Sequence, residues 1–256
     1  MEHDYCLNCE FAVDNNFCPS CGQKTDTHRI VLKHFIFHDL LHGVWHLEKG
    51  IIFTLKETLT RPGQAALDYI SGKHIKYYNV FYLSLLVIAV NILLLHARDN
   101  ATVEIGRVTE LKKMGVNEFF SEYSKIVLFS IVPILAINAK LIFKRLKLNL
   151  AEHLIMGGIT LLGILVLSTA YILSDVLNDN IHSFNILAIL KLISFFSISL
   201  YPIWAYRNFT KGLYKFWGFS WRMLIFYLIT LAELVAITIT ISALFLNGSG
   251  ALEVEF

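Results

Sequence analysis

Charge is scarce in this sequence. Asp, Glu, Lys and Arg make up 16% of its 256 residues, and the formal net charge is +2. A nucleic-acid footprint needs a concentrated basic surface, so that class of partner is excluded. Missing too is a basic start followed by a short apolar core and a cleavage site. No removable leader is expected, and the chain's own helices would direct its insertion. Familiar catalytic signatures are also absent: no G-x-S-x-G elbow, no G-x-x-x-x-G-K phosphate loop, no H-E-x-x-H and no dinucleotide fingerprint.

What fills the space is apolar. Apolar residues make up 55% of the chain, and mean hydropathy is +0.57. An ordinary soluble domain of this size does not carry that much. About 20 residues are needed to cross a hydrocarbon core, and five runs qualify: about 78–97, 125–144, 152–173, 186–206 and 222–246. Inside lipid every backbone amide must bond within its own segment, so the runs are read as helices, and short alternating barrel strands are not seen. The expected fold is an all-α membrane protein with five transmembrane helices over 78–247. Pro133 and the Gly157-Gly158 pair predict kinks and close helix approach.

Basic residues in the connections give the orientation. Lys73 and Lys76, then Lys144, Arg145 and Lys147, then Arg207, Lys211, Lys215 and Arg222 mark three cytoplasmic segments. Asp175 and Asp179, the mixed stretch 98–124 with more acids than bases, and Glu253 and Glu255 mark the outside. The N-terminus is therefore expected in the cytoplasm and the C-terminus in the periplasm, across a bacterial inner membrane. Residues 248–256 read as a tail.

Cys6-x2-Cys9 and Cys18-Pro-x-Cys21-Gly contain every cysteine in the chain. A C-x2-C turn aims two thiolates at one point while backbone amides donate to the sulfurs. Two such turns complete a tetrahedron about zinc. The bound ion would supply folding energy that an apolar core of some 20 residues cannot. Two disulfides or a thioredoxin-like redox pair are the alternatives, and a reducing compartment and the lack of a βαβ pattern count against them. A closed four-thiolate site has no open position, which predicts a structural role for a zinc ribbon over residues 1–28.

Between ribbon and membrane, residues 29–77 carry His34, His38, His42 and His46, four apart along one helical stripe. One reading is a second metal site, with His38 and His42 completed by Asp39, Glu48, Glu57, His74 or Glu233. The other is the polar side of an interfacial amphipathic helix whose Phe35, Ile36, Leu40, Val44, Trp45 and Leu47 face lipid or protein. Pro62 should open a further short helix and Gly72 close it, and Tyr77 and Tyr78 should anchor the entry into the first span.

The run of C-x-N-C, F-C-P-x-C-G-Q, T-L-x-x-x-x-T-R-P-G and Y-I-x-G-K over residues 5–83 resembles a bacterial family of zinc-ribbon membrane proteins classed as a domain of unknown function. The resemblance implies a zinc-bearing head on a helical membrane domain and no particular reaction. Five spans behind a proline-bearing interfacial helix are similar, more distantly, to the Yip family of membrane-shaping proteins.

Ionisable residues inside the runs are few. Lys140 and Lys191 lie near helix ends and can snorkel. Glu233 falls near the middle of the last run, where a carboxylate must be paired, protonated or wet. Its candidate partners are Lys191, Asn91, Asn138 or one of the histidines. Three functions are then in view. The first is a non-enzymatic scaffold, assembly or membrane-organising protein, with the lipid bilayer and a protein partner or second copy as partners. The second is a metal-dependent membrane enzyme acting on lipid through the histidine helix. The third is a small ion- or proton-coupled transporter subunit using Glu233.

Overall fold

The computed structural model describes residues 5–25, 50–104, 130–180 and 184–249. Two short helices follow the ribbon: α1, Ile51–Thr60, and α2, Pro62–Ile70. Pro62 occupies the first position of α2, where its missing N–H forfeits no helical bond. Gly72, at φ 96°, turns the chain away just beyond the helix end. A 3-10 turn at His74–Lys76 leads into α3, Val80–Glu104. Then come α4, Ser130–Ile142, a 3-10 turn at Lys144–Leu146, α5, Leu150–Asn180, α6, Phe184–Thr210, and α7, Phe216–Ser249.

Among the described residues four helical segments are long and apolar enough to cross a membrane: His74–Arg98, Leu150–Leu177, Ile186–Thr210 and Phe216–Ile237. They match the first, third, fourth and fifth apolar runs. The second run, 125–144, is described only from Ser130, and α4 is shorter than a span. Helices overrun the hydropathy limits where polar groups are paired. α5 continues past residue 173, with Asp175 held in ion pairs, and α7 starts at Phe216, with Arg222 bonding back to the Gly218 carbonyl at 2.8 Å.

α5 is the central element, with α3 on one flank and α6 on the other. A Cβ on Gly163 would sit 2.1 Å from the Tyr201 ring, so α5 and α6 approach through a small residue. Asn91 of α3 ties to α5 by accepting the Thr169 hydroxyl at 2.7 Å and donating to the Leu165 carbonyl at 3.3 Å. At the end remote from the ribbon, Asp175 of α5 takes Arg98 of α3 at 3.1 Å and Lys191 of α6. At the ribbon-proximal end the core is aromatic: Phe143 stacks on Tyr206 at 5.3 Å, with Tyr214, Phe219 and Phe226 around them. Offset and edge-on ring pairs such as these add about 1 kcal/mol each beyond area burial.

α1 and α2 form a hairpin against α5 and α6. α2 meets α6 at backbone contact. A Cβ on Gly63 would lie 2.0 Å from the Phe209 nitrogen, and the Gln64 N–H donates to Asn208 Oδ1 at 2.9 Å. α1 is inverted relative to a soluble helix. Its buried residues are Thr54, Glu57 and Thr58, while Ile52, Phe53 and Leu59 are exposed. Two of the three inward side chains find partners, and the Thr58 hydroxyl does not. Thr54 Oγ1 accepts the Tyr78 N–H at 2.8 Å, Glu57 takes Arg61 at 2.6 Å, and the Thr58 carbonyl accepts the Tyr201 hydroxyl at 2.6 Å. α1 thus exposes apolar side chains and buries polar ones.

Candidate metal centre and polar sites

The ribbon is built twice. The Cys6 N–H donates to the Phe11 carbonyl and the Glu10 N–H to the Cys6 carbonyl. The same bonds recur from Cys18 to Gln23 and from Gly22 to Cys18, all at 2.8 Å. Isolated bridges pair Tyr5 with Ala12 and Phe17 with Lys24. Both knuckles turn through a left-handed residue at the equivalent position, Glu10 at φ 61° and Gly22 at φ 74°. This geometry brings Cys6, Cys9, Cys18 and Cys21 together with all four sulfurs within 4.8 Å of one another and unbonded.

The spacing fits a metal. Cys6 and Cys21 sulfurs lie 3.6 Å apart, and those of Cys9 and Cys18 lie 3.5 Å apart. A tetrahedron with metal–sulfur bonds of about 2.3 Å has edges of about 3.8 Å. The electrostatics point the same way. The Phe11 backbone N–H favours the Cys9 thiolate, but desolvation and the neighbouring thiols of Cys18, Cys21 and Cys6 outweigh it and push Cys9 up to about 11. Desolvation opposes ionisation of Cys21 as well, yet the Asn8 side chain and the Gln23 N–H bring it down to about 6. Sulfurs this close cannot all ionise together unless a cation sits among them. The four thiols can therefore bind a metal ion, and among the described residues they are the one His/Cys/Asp/Glu group so arranged.

Both knuckles touch the elbow, the second through a hydrogen bond and the first through Leu7. Gln23, equivalent to Phe11, is buried and donates from Nε2 to the Gly72 carbonyl at 2.7 Å. Leu7 caps the same glycine, since a Cβ there would lie 2.7 Å from Leu7 Cδ1. Phe11 is exposed, as are Tyr5 and Phe17. Gly72 belongs to the elbow joining α2 to α3, and Asp68 organises that elbow by accepting Gln64 Nε2 at 2.8 Å, Lys73 Nζ at 3.1 Å and Tyr77 Oη at 3.2 Å. Desolvation works against its charge, but the bonds from Gln64 and Lys73 and the Lys73 charge hold its carboxyl below the usual carboxylate range.

His34, His38, Asp39, His42 and His46 lie outside the described residues. His74 is engaged at the elbow, its Nε2 2.9 Å from the Tyr69 carbonyl and its ring stacked on Tyr69 at 4.5 Å. Glu57, a candidate second-metal ligand, is spent on Arg61. Glu233 meets Asn138, whose Nδ2 reaches its carboxylate at 2.6 Å and Thr230 Oγ1 at 3.1 Å. Lys191 pairs with Asp175 rather than with Glu233.

Sequence reasoning passed over His153. It is buried on the first turns of α5, and its Nδ1 has no hydrogen-bond partner. An imidazole inside an apolar run was the available signal. The chain matches no protein-family model, no curated protein and no solved structure.

Proposed function

We propose that this is a non-enzymatic integral membrane protein in which a zinc ribbon on the cytoplasmic side braces an inserted helical hairpin, serving a scaffold, assembly or membrane-organising role. The observation that carries it is the docking of a closed four-thiol cluster onto the elbow through Gln23 and Gly72. Four thiolates leave an ion no open coordination position, so its work is to hold shape. Zinc fits because four-cysteine sets at this spacing are characteristic of its structural sites.

The membrane frame follows from the charges. Counting about 20 residues, or about 30 Å, from the Arg98–Asp175–Lys191 cluster brings one to Tyr78, Ile155 and Lys211. Tyrosines and basic residues belong at such a boundary. In this frame α4 completes a fifth span with the residues before it, the ribbon faces the cytoplasm of a bacterial inner membrane, and the C-terminus lies in the periplasm. Tyr201 is about 15 Å inside, so α1 and α2 form a re-entrant hairpin whose tip enters the bilayer.

Exposed Phe11, Tyr5 and Phe17 on the ribbon support a protein partner or a second copy as the thing scaffolded. A photo-crosslinker at Phe11 in intact cells tests this. One dominant protein adduct is expected, lost with Cys9→Ser and retained with His38→Gln. Absence of any protein adduct would remove the scaffold role. The lipid-enzyme reading requires a second metal that disappears with His38→Gln and His42→Gln.

One observation favours a second reading: Glu233 and Asn138 meet in a part-buried contact between helices. If the pair carries protons or cations, Glu233→Gln abolishes a flux measured in liposomes, and an unchanged flux removes that reading.

A further inference from the structure

We infer that Arg145, Arg207 and Arg222 bind the phosphate of one anionic phospholipid headgroup in the leaflet nearer the ribbon. The inference rests on the membrane-spanning reading above and adds to it a site and a ligand class. The three arginines come from three elements: the turn between α4 and α5, the end of α6 and the start of α7. Tyr214 gathers them. Arg145 and Arg222 place their guanidinium carbons 5.4 and 4.5 Å from the centre of the Tyr214 ring. Arg207 donates to the Tyr214 carbonyl at 3.2 Å, and the Arg145 N–H donates to Tyr214 Oη at 3.1 Å. Tyr214 is buried and packs edge-on against Phe143, so the post around which the three charges stand is fixed to the aromatic core.

No acid among the described residues answers those charges. Arg61, Arg98 and Lys191 each have a carboxylate, whereas Arg145, Arg207 and Arg222 are in no ion pair among the described residues. The sequence itself holds no Asp or Glu between Glu122 and Glu152, or between Asp179 and Glu233. An aromatic ring attracts a guanidinium but leaves its charge intact, so three like charges held around one residue repel until an anion joins them. Phosphate is the anion that fits. A guanidinium is a planar fork of five donors that matches phosphate oxygens in pairs. The Tyr214 and Gly218 carbonyls take one donor each, from Arg207 and Arg222. Arg145 and Arg207 are exposed and Arg222 is half-buried, so a ligand can reach all three.

Depth selects a headgroup as the source of the phosphate. Lys211 falls at the ribbon-proximal membrane boundary, and Arg207 lies about one turn of helix before it. Phe216, Trp217 and Trp221, which precede Arg222 in α7, are exposed, and such rings sit at headgroup level. Basic sites between membrane helices on the cytoplasmic side hold anionic headgroups in this way.

The full chain is reconstituted with equal amounts of phosphatidylglycerol and phosphatidylcholine, solubilised in detergent and weighed by native mass spectrometry. One retained phosphatidylglycerol is expected, in about tenfold excess over retained phosphatidylcholine. Arg145→Gln with Arg222→Gln should lower that preference to below about twofold. Lys211→Gln with Lys215→Gln removes as much charge from the connection between α6 and α7, and should leave the preference within about twofold of the parent. Equal loss in the two pairs would assign binding to diffuse charge and overturn the site, as would a parent protein with no preference. Thermal melting and metal content are read on every variant. If the glutamine pair does not fold, Arg145→Lys with Arg207→Lys takes its place. That pair keeps the charge and loses the paired forks, and a drop of about threefold is expected, with an unchanged preference overturning the site. A thermal shift on delipidated protein separates the two sources of phosphate. Short-chain phosphatidylglycerol should raise the melting temperature at concentrations where inorganic phosphate has no effect, and equal potency would overturn the headgroup in favour of a free phosphate. Protein that stays monodisperse without detergent would overturn the membrane reading itself, which is a separate result.

Discussion

The ribbon and the helical bundle are ordered by opposite means. In the ribbon the buried apolar set is Cys6, Val13 and Cys18 with Cys21 packed beside them, so three of the four members are metal-ligand candidates. In the bundle one cluster runs from Ala65 and Ala66 through Leu83, Phe143, Ile159 and Tyr206 to Phe226. Order in the head hangs on a few sulfur atoms and should be lost all at once. Order in the bundle is spread over many contacts, each modest, and should be lost by increments.

The sharpest way to test that contrast is to remove one thiolate. Cys18→Ser should drop bound metal from about one ion per chain to near zero, since the binding free energy of such sites, on the order of 10 kcal/mol, is also the folding free energy of the head. Metal analysis and circular dichroism read the two regions separately. Head loss with the bundle's helical signal intact is the expected result. If the helices melted together with the ribbon, the two regions would be one cooperative unit and the comparison would collapse.

In the bundle the largest single effect should come from Gly63. Alanine is the better helix former by about 1 kcal/mol. Its Cβ, however, would stand 2.0 Å from the Phe209 nitrogen and 2.4 Å from the Asn208 carbonyl carbon, and these are backbone atoms that cannot swing aside. Gly63→Ala should therefore destabilise the bundle by about 2 kcal/mol in spite of the propensity gain. A thermal melt in detergent checks the sign. Stabilisation would mean that α2 does not press on α6 as described.

How much of this was legible depends on where the information is stored. The thiol cluster was readable from Cys6, Cys9, Cys18 and Cys21 because their spacing alone sets the geometry. Pro62 and Gly72 were readable as punctuation because each acts on its own residue's backbone. Partnerships between helices were not fixed by pattern. Asn138 was one of several candidates for Glu233, and the shared use of Asp175 by Arg98 and Lys191 joins residues far apart in the chain. The inverted face of α1 also escaped, because Thr54, Glu57 and Thr58 look like an exposed polar stripe until Tyr78, Arg61 and Tyr201 are placed against them. Four helices of spanning length stand where five apolar runs were read, because α4 is described only from Ser130.

A smaller effect should appear at the elbow that joins the two regions. Asp68 has its carboxyl held below the usual range, so its folded pKa lies under its unfolded value of about 3.9. A depressed carboxylate contributes stability that is fully present above the unfolded pKa and is lost as pH falls through the folded one. The elbow should thus weaken below about pH 4, and Asp68→Asn should flatten that part of the profile. Metal loss in acid affects both proteins alike, so the difference between them isolates Asp68. Identical acid limbs would show that the bonds to Gln64, Lys73 and Tyr77 do not couple to stability.

The smallest effect separates the two halves of the ribbon. Glu10 and Gly22 occupy equivalent left-handed positions, yet one carries a side chain and the other does not. A non-glycine residue there costs about 1 kcal/mol. Part of this is offset because glycine has more freedom to lose on folding. Glu10→Gly should therefore strengthen metal retention slightly, by less than about 1 kcal/mol, and Gly22→Ala should weaken it by about the same. Contact with the elbow does not enter, since a Cβ on Gly22 would meet Ile75 at an ordinary 3.9 Å. Competition with a chelator reads both variants on one scale. Opposite signs would mean that backbone twist governs each knuckle alike. Equal signs would mean that the second knuckle, held by Gln23 on Gly72, obeys its neighbour rather than its own φ.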